Sequence, residues 1–186
     1  WGEITYLEGL KRSSNVAFVK LGYEKLGADK LLEYIKAFGF GNRTGIELPA
    51  EEAGAVTIRK QYATEVATAA FGQGRLQVTA IQQLAAVAAI ANDGKLMKPY
   101  LVKSVTDPQT GSTVHTEPTV VRQVISAESS RRVGEYLEQV VSDREIGTGR
   151  NAYIPGYRVA GKTGTAQKVV DGKYAEGKYI VSFIGY

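Results

Sequence analysis

Hydrophobic positions in the first third of the chain recur at the spacing of an amphipathic helix. Four of them are three or four residues apart: Val16, Val19, Tyr23 and Leu26. Positions at this spacing share one face of a helix, and Gly27, which follows them, favours a helix end. The pattern repeats in a second set that Gly39 follows: Leu31, Leu32, Ile35 and Phe38. Two helices are therefore predicted, followed by a loop over residues 39–57, which contain Gly, Asn and Pro.

Two further helices are predicted from their capping residues. Thr79 is suited to cap a helix that runs to Ala91 and ends at Asn92-Asp93-Gly94, because its hydroxyl can accept a backbone hydrogen bond. This helix carries Ala, Leu, Val and Ile on nearly every side, so we expect it to be buried all round. Ser126 is suited to cap a last helix. The apolar face of that helix holds four residues: Val133, Leu137, Val140 and Val141.

The remaining patterns predict β-strands. Four runs are strand-like: residues 100–105, 112–115, 157–170 and 179–184. The turn sequence Asp107-Pro-Gln-Thr-Gly111 separates the first two runs, which predicts a hairpin. We expect the turn sequences Asp171-Gly172 and Glu176-Gly177 to join the last two runs.

The composition is that of one globular domain. The chain has 186 residues, of which 44% are hydrophobic and 23% charged, and this leaves room for a core. Helices come first along the chain and strands later. This order predicts a single α+β domain over residues 1–186, with a helical lobe and an antiparallel sheet on which a helix packs.

Charge and cysteine content narrow the classes of function. The net charge is +4, but the basic residues are scattered singly or in pairs such as Lys11-Arg12 and Arg131-Arg132, which argues against nucleic-acid binding. The absence of Cys excludes disulfides and thiolate metal sites, and a single His argues against structural zinc. We expect neither a metal nor a cofactor. The longest fully apolar run, Leu84–Ala91, is too short to cross a membrane.

The segment Lys162-Thr163-Gly164-Thr165 carries the first candidate chemistry. Lys162 supplies a positive charge, and the Thr163 hydroxyl can donate to a carboxylate. Gly164 lets a ligand lie against the strand backbone, and Thr165 offers a backbone N–H of the kind that an oxyanion hole needs. These properties suit an acyl donor that bears a carboxylate. A strand with a kink is the simpler structural interpretation of the same residues.

The same segment also satisfies a phosphate-binding pattern. Residues 156–163 match G-x-x-x-x-G-K-[ST], which needs a wrapped loop and then a helix whose N-terminus meets phosphate. Tyr157-Arg158-Val159 is strand-forming, however, and the residues after Thr163 are too few and too strand-like for that helix. We therefore expect residues 156–163 to be extended, with nucleotide binding as the alternative from another functional class.

A second segment, Ser13-Ser14-Asn15, makes a combination that is more specific than either motif alone. By themselves these residues favour a helix N-cap. Together with the later Lys-Thr-Gly triplet they match two of the three motifs of penicillin-binding proteins and related β-lactamases. The likeness covers essentially the whole chain and includes further segments: Phe71-Gly-Gln-Gly74, Val78-Thr-Ala-Ile-Gln-Gln-Leu-Ala85, Lys98-Pro-Tyr100, Gly147-Thr-Gly149 and Ser182-Phe-Ile-Gly-Tyr186. The chain thus resembles the transpeptidase domain of class B, monofunctional penicillin-binding proteins, with their penicillin-binding/serine β-lactamase-like fold.

The resemblance implies a serine acyl-enzyme that cross-links peptidoglycan stem peptides and binds β-lactams. Ser13 would then relay a proton toward the leaving nitrogen, Asn15 would hydrogen-bond the substrate amide, and Lys162 would hold the positive potential of the site. Thr163 and Thr165 would receive the substrate carboxylate. The Thr165 N–H would form half of the oxyanion hole.

Four other residues receive lesser roles by the same resemblance or by their position. Gly164 would let the substrate lie along the strand, and Gln73 would line the cleft. Ser14 is expected to point away from the site and to serve the structure. His115 is expected to be an exposed hairpin residue, because a Ser-His mechanism would need an acidic orienter and a matched nucleophile.

The chain departs from the family at its nucleophile motif. The Ser-x-x-Lys expected upstream of Ser13 is absent, and only Thr57-Ile-Arg-Lys60 comes close. We therefore expect a partial domain, truncated at both ends, that begins after the nucleophile helix and ends before the last strand and helix. Alone it would be inactive, and its uncovered apolar surface would favour self-association. The parent is expected to be anchored upstream in the cell membrane, with this domain on the extracytoplasmic face.

Two alternatives keep the same motifs. A serine β-lactamase or a β-lactam sensor would also need a deacylating carboxylate near the serine, and no such residue is evident in the sequence. A non-catalytic binding module is the other alternative, and it would describe the chain literally if the nucleophile is absent.

Overall fold

The computed structural model describes residues 2–170 and 172–186. Over these residues the α-helices are α1 (Tyr6–Lys11), α2 (Asn15–Val19), α3 (Ala28–Ala37), α4 (Ala63–Ala69), α5 (Ala80–Ala91) and α6 (Ala127–Ser142). The strands are β1 (Ala55–Val56), β2 (Leu76–Gln77), β3 (Lys95–Met97), β4 (Ser104–Thr106), β5 (Thr113–His115), β6 (Val120–Gln123), β7 (Gly161–Val170) and β8 (Lys173–Gly185). A π-helical segment, Lys20–Leu26, continues α2, and a 3₁₀ turn spans Arg150–Ala152. The strands pair antiparallel as β1–β2, β3–β6, β4–β5 and β7–β8, so the predicted α+β class is confirmed.

The first predicted helix is present, but its winding changes partway. α2 passes into the π-helical segment, whose last bond runs from the Gly27 N–H to Gly22 O at 3.1 Å. This segment lies against the end of α4, where a Cβ added to Gly22 would lie 2.6 Å from the Ala70 Cβ. Only glycine lets the two helices approach this closely. Gly27 then adopts a φ of 82° and ends the segment at the predicted residue.

Both predicted helix caps are confirmed. The Thr79 hydroxyl accepts the Gln82 N–H at 3.2 Å, and the Gln82 side chain accepts the Thr79 N–H at 3.0 Å, which makes a capping box. The Ser126 hydroxyl accepts the Ser129 N–H at 3.1 Å at the start of α6. These caps fix the first residues of α5 and α6.

The expectation that α5 is buried all round is wrong for this chain. Its buried side carries Gln82, Ala86 and Ala89, and the helix contacts α6 and β3. Leu84, on another side, is 53% exposed. A uniformly apolar composition shows only that a helix can be buried, whereas the neighbouring elements decide which of its sides are covered. In the part of the chain that the structure describes, no helix has the length and apolar character needed to cross a membrane.

The strands follow the prediction only in part, because β1, β2, β3 and β6 were not predicted, β1 lies within the expected loop 39–57, and β4 begins at Ser104 rather than at residue 100. The β4–β5 hairpin forms as expected, whereas β7 begins at Gly161, later than the predicted residue 157. Glu176-Gly177 does not join two strands, because it lies in a bulge of residues 175–178 within β8. The register there passes from Gln167↔Tyr179 to Val169↔Tyr174. The other predicted turn includes Asp171, which lies outside the described residues.

The nucleotide-binding alternative is contradicted by the context of its motif. Lys162 and Thr163 lie inside β7, and the chain continues as strand to Val170. A phosphate loop would need a helix N-terminus at this point, where the backbone N–H groups converge on the phosphate. The match to the phosphate-binding pattern is therefore a coincidence of sequence.

Candidate active site

Ser13 lies in the tight turn that joins α1 to α2. α1 ends in a Schellman motif, in which the Ser14 N–H donates to Gly9 O at 2.8 Å and the Ser13 N–H donates to Leu10 O at 3.1 Å. This motif places Ser13 in the left-handed conformation, with a φ of 54°, where glycine is usual. A residue with a Cβ in this conformation costs roughly 1 kcal/mol. The turn therefore sets the direction of the Ser13 hydroxyl while straining the backbone.

The Lys162 ammonium contacts the Ser13 hydroxyl and so joins the two sequence motifs. Lys162 Nζ donates to Ser13 Oγ at 2.8 Å, and also to Thr163 O at 2.9 Å and Thr163 Oγ1 at 3.3 Å. The ammonium is half-buried, and this burial lowers the pKa of Lys162 below its ordinary value. A lowered pKa raises the fraction of neutral lysine, which can accept a proton from a hydroxyl. The pair can therefore move a proton between an oxygen and a nitrogen.

The strained Ser13 turn gives a stability prediction. We expect Ser13→Gly to be more stable than Ser13→Ala by about 1 kcal/mol, because glycine adopts the left-handed conformation without a steric penalty. Both variants lose the hydroxyl and its bond to Lys162. Their difference thus reports the relief of strain less the extra unfolded-state entropy of glycine, and urea unfolding of the two purified variants measures it. A Ser13→Gly variant that is less stable than Ser13→Ala would show that the turn is unstrained.

β7 presents one edge that pairs with no strand in the described part of the chain. Next to its paired edge, Ala160 and Tyr186 exchange two hydrogen bonds of 2.9 Å. Hydrogen-bonded and non-hydrogen-bonded pairs alternate along an antiparallel ladder, so the N–H of Lys162 points toward β8. The N–H groups of Thr163 and Thr165 then point outward at the unpaired edge. The Thr165 N–H is therefore available to a ligand oxygen.

Asn15 and Ser13 line the same cavity. This cavity has a volume of about 990 Å³, and residues 2–6 and 13–17 form most of its wall. Asn15 is the first residue of α2 and is exposed.

Gly164 is also required by packing within the strand pair, since a Cβ added to it would lie 2.8 Å from the Ser182 Oγ on β8.

Three other residues from the sequence analysis lie apart from the contact between Ser13 and Lys162. Ser14 caps α2, with its Oγ accepting the Ala17 N–H at 3.4 Å, which fits its expected structural role. Ser14 also lines the cavity that Ser13 and Asn15 line, so it is not separated from the site as expected. Gln73 follows α4, and its N–H donates to Thr68 O at 3.0 Å. Over residues 2–170 and 172–186, no hydrogen bond joins its side chain to the motif residues. His115 is exposed in β5, as expected.

Thr148 contacts the candidate site residues, although the sequence assigned it no role beyond its place in the family-like segment Gly147-Thr-Gly149. Its Oγ1 accepts a hydrogen bond from Thr163 Oγ1 at 3.1 Å, and its N–H donates to Lys11 O at 3.0 Å. The only sequence signal for it was its position between two glycines, Gly147 and Gly149. Thr148 thus extends the hydroxyl network that begins at Lys162.

Lys11 and Asp143 form an ion pair next to the Ser13 turn. Lys11 Nζ lies 2.6 Å from Asp143 Oδ2, and the side chains are 14% and 23% exposed. The hydrogen bond from Lys11, together with one from the Ile146 N–H, lowers the pKa of Asp143 to about 2. The pair fixes the last residue of α1 to the end of α6.

The depressed pKa of Asp143 gives a pH prediction. A carboxyl with a lowered folded-state pKa contributes stability that is present above its unfolded pKa of about 3.9 and is lost as the pH falls through the folded value. For Asp143 the window lies between about pH 4 and its folded pKa of about 2. We expect the Tm to fall more across this window in the wild-type chain than in Asp143→Asn, as measured by circular dichroism. Parallel Tm curves for the two proteins would contradict the assignment.

Comparison with known proteins places this geometry in a family. The family model described as "Penicillin binding protein transpeptidase domain" matches residues 1–186. The chain is 53% identical over 184 residues to stage V sporulation protein D of Bacillus subtilis, covering 98% of the chain and 28% of that protein. It is 33% identical over 178 residues to the probable peptidoglycan D,D-transpeptidase PenA of Neisseria meningitidis, covering 95% of the chain and 28% of that protein. The chain thus spans little more than a quarter of the length of these relatives.

Solved structures agree with the sequence relatives. Penicillin-binding protein 3 of Mycobacterium tuberculosis, in complex with aztreonam, superposes with a TM-score of 0.89 at 35% identity, covering 97% of this chain and 41% of that one. The apo transpeptidase domain of penicillin-binding protein 3 from Burkholderia pseudomallei has a TM-score of 0.79 at 33% identity, covering 95% of this chain and 50% of that one. The resemblance inferred from the two motifs is confirmed by these matches. The chain belongs to the penicillin-binding protein transpeptidase family.

Proposed function

We propose that this chain is the part of a peptidoglycan D,D-transpeptidase that carries the proton-relay and substrate-edge half of the active site. The observation that carries the proposal is the 2.8 Å hydrogen bond between Lys162 Nζ and Ser13 Oγ, beside the unpaired edge of β7. The proposal is supported by a hydroxyl in contact with an amine of lowered pKa, and by an outward N–H at Thr165 on the same strand as the amine. Acyl transfer to and from a serine needs these three groups.

The proposed reaction assigns one task to each group. A serine from the Ser-x-x-Lys segment of the parent attacks the penultimate D-Ala carbonyl of a stem peptide while its proton passes to the lysine of that segment, and the resulting oxyanion accepts a hydrogen bond from the Thr165 N–H. Ser13 passes its proton to the leaving nitrogen, and Lys162 supplies a proton to Ser13 in turn. D-Ala departs and leaves an ester on the nucleophilic serine. An amine of a second stem peptide then attacks this ester and returns a proton through Ser13 to Lys162. The lysine of the Ser-x-x-Lys segment gives its proton back to the released serine, and the cross-link is formed.

Substrate binding is assigned to β7 and to α2. The Thr165 hydroxyl receives the substrate carboxylate, and the Thr163 hydroxyl does so by turning its proton from Thr148 Oγ1 to the carboxylate. Gly164 leaves the strand surface without a side chain, and Asn15 binds the substrate amide from the cavity wall. Gln73 is proposed to line the cleft, as the family resemblance implies. β-Lactams are proposed to enter the same site, and the Mycobacterium tuberculosis relative was solved in complex with one of them, aztreonam.

A β-lactamase or sensor function has less support than transpeptidation. Hydrolysis of the acyl-enzyme needs a carboxylate that activates water near the serine. In the described chain, no Asp or Glu makes a hydrogen bond or ion pair with Ser13 or Lys162, whose partners are hydroxyls and a carbonyl. The relative named a D,D-transpeptidase also favours cross-linking.

The setting proposed for the parent follows from the substrate. Because stem peptides lie outside the cytoplasm, the parent is proposed to be anchored in the cell membrane with this domain on the extracytoplasmic face. Exposed apolar residues on β8, including Ile180 and Val181, are proposed to lie against the remainder of the domain. In the isolated chain the same residues favour self-association.

Labelling with a fluorescent penicillin tests the proposed function. We expect the parent to be acylated stoichiometrically at the serine of its Ser-x-x-Lys motif. The 186-residue chain alone should stay unlabelled, because neither the activated nucleophile nor its N–H is present. Intact mass spectrometry with peptide mapping measures both results. A parent that is not labelled, or an adduct on Ser13 of the isolated chain, would contradict the proposal.

A further inference from the structure

One turn, residues 143–149, contacts both halves of the site and has no task in the proposed reaction. Asp143 Oδ2 lies 2.6 Å from Lys11 Nζ at the end of α1. The Thr148 N–H donates to Lys11 O at 3.0 Å, and Thr148 Oγ1 accepts from Thr163 Oγ1 at 3.1 Å. The turn therefore contacts α1 through the side chain and the main-chain carbonyl of Lys11. It contacts β7 through the hydroxyl of Thr163.

The turn is itself fixed to the end of α6. The Gly147 N–H donates to Asp143 O at 3.1 Å, and the Gly149 N–H donates to Val140 O at 3.1 Å. A Cβ added to Gly147 would collide with the carbonyl oxygens of Asp143 and Val140. Close backbone packing of this kind leaves the turn little freedom to move.

The turn between α1 and α2, which contains Ser13, needs contacts from other segments to keep its conformation. Its left-handed residue is strained, with a φ of 54°, and such conformations persist only where the surrounding structure over-determines them. Lys11, which the turn 143–149 contacts, lies two residues before Ser13 in the chain. Thr163, which the same turn contacts, directly follows Lys162. The turn 143–149 thus bridges the two segments whose side chains must meet.

We propose that Asp143 and Thr148 are positioning residues of the active site, which fix the α1–α2 turn to β7 and so keep Ser13 Oγ within hydrogen-bond distance of Lys162 Nζ. The expected effect on catalysis rests on the function proposed above. The expected effect on the distance between Ser13 Oγ and Lys162 Nζ does not. Small displacements of a reacting group lower rates steeply, with about a hundredfold loss for a misplacement of 1 Å.

Matched substitutions separate the positioning role from general stability. Thr148→Val removes the hydroxyl and keeps the branched shape, and Thr148→Ser keeps the hydroxyl. Asp143→Asn removes the charge that pairs with Lys11 but retains an oxygen for the N–H groups of Glu145 and Ile146. Glu138→Gln is the control, because Glu138 lies on α6, which ends next to Asp143, and the substitution breaks a different ion pair, the one with Arg158.

The first experiment uses the isolated chain and a titration of the Lys162 side chain by nuclear magnetic resonance. In Thr148→Val, which changes no charge, the pKa of Lys162 should rise toward its ordinary value, because the loosened Ser13 turn lets water reach the ammonium. Thr148→Ser and Glu138→Gln should leave it unchanged. A Lys162 titration that is the same in Thr148→Val as in the wild-type chain would overturn the proposal.

The second experiment uses the parent and the rate of acylation by a fluorescent penicillin. Thr148→Val and Asp143→Asn should each slow acylation about tenfold, with Thr148→Ser and Glu138→Gln near the wild-type rate. Wild-type rates in both of the first two variants would overturn the proposal, and Asp143→Asn decides it if Thr148→Val does not fold. If the wild-type parent is not acylated, the proposed function fails, and the titration still decides whether Thr148 positions Lys162.

Discussion

Acylation of the parent protein by penicillin should slow about a thousandfold when Lys162 is replaced by Ala, the size expected when a positioned proton-transfer group is lost. The reason lies in the contact between Lys162 Nζ and Ser13 Oγ at 2.8 Å. Without the amine, Ser13 cannot regain the proton that it gives to the leaving nitrogen, and the site loses its positive charge. The second-order rate constant of labelling by a fluorescent penicillin measures the effect.

Two variants make this result specific. Lys168→Ala removes an exposed lysine from the same strand and should leave the rate unchanged. Lys162→Arg keeps the charge but should still lose about a hundredfold, because a guanidinium does not give up its proton in proteins. A Lys162→Ala parent that is acylated within about threefold of the wild-type rate would remove Lys162 from the mechanism.

Replacing Thr165 by Pro in the parent should slow acylation between about a hundredfold and a thousandfold while leaving the protein folded. The ladder places the Thr165 N–H at the unpaired edge of β7, so proline removes no bond to β8. It does remove the proposed oxyanion-hole donor, and loss of one such donor typically costs this factor. Labelling rates and thermal unfolding, measured on the same preparation, separate the two effects.

Neighbouring substitutions control for the effect of proline itself. Ala166→Pro removes an N–H that points toward β8, so it should lower the Tm strongly. Thr165→Ala keeps the N–H and loses only the hydroxyl, so its acylation should fall less than that of Thr165→Pro. If Thr165→Pro and Thr165→Ala have the same rate, the Thr165 N–H is not an oxyanion donor.

The sequence predicted helix starts and helix ends well, because these depend on interactions between residues that are close in the chain. Thr79 and Ser126 cap their helices, and Gly27 ends the π-helical segment, because capping depends on residues a few positions apart. The prediction was wrong where burial or strand register depends on residues that are distant in the chain. The exposure of Leu84 depends on which elements cover α5, and the bulge at residues 175–178 depends on the register with β7.

The contacts of the site that the sequence analysis missed are all long-range. Lys11 and Asp143 are ordinary surface residue types, and only the fold brings their charges to 2.6 Å. Thr148 carried no chemical signal beyond its flanking glycines, and its role comes from the hydroxyl of Thr163. The left-handed conformation of Ser13 was also unexpected, because the residue at this place in a Schellman motif is usually glycine.

The sequence by itself determined the family, the α+β class and the two motifs that hold Ser13 and Lys162, because short motifs in a fixed order need no coordinates to be recognised. It also lacked the context for a phosphate loop, since strand-forming residues flank Lys162. The tertiary structure decided the distance between Ser13 and Lys162, which are separated by most of the chain, and the lowered pKa of the lysine. Distances and burial of this kind depend on how α1 and β7 each pack against α6, and packing is a property of the whole chain rather than of any segment.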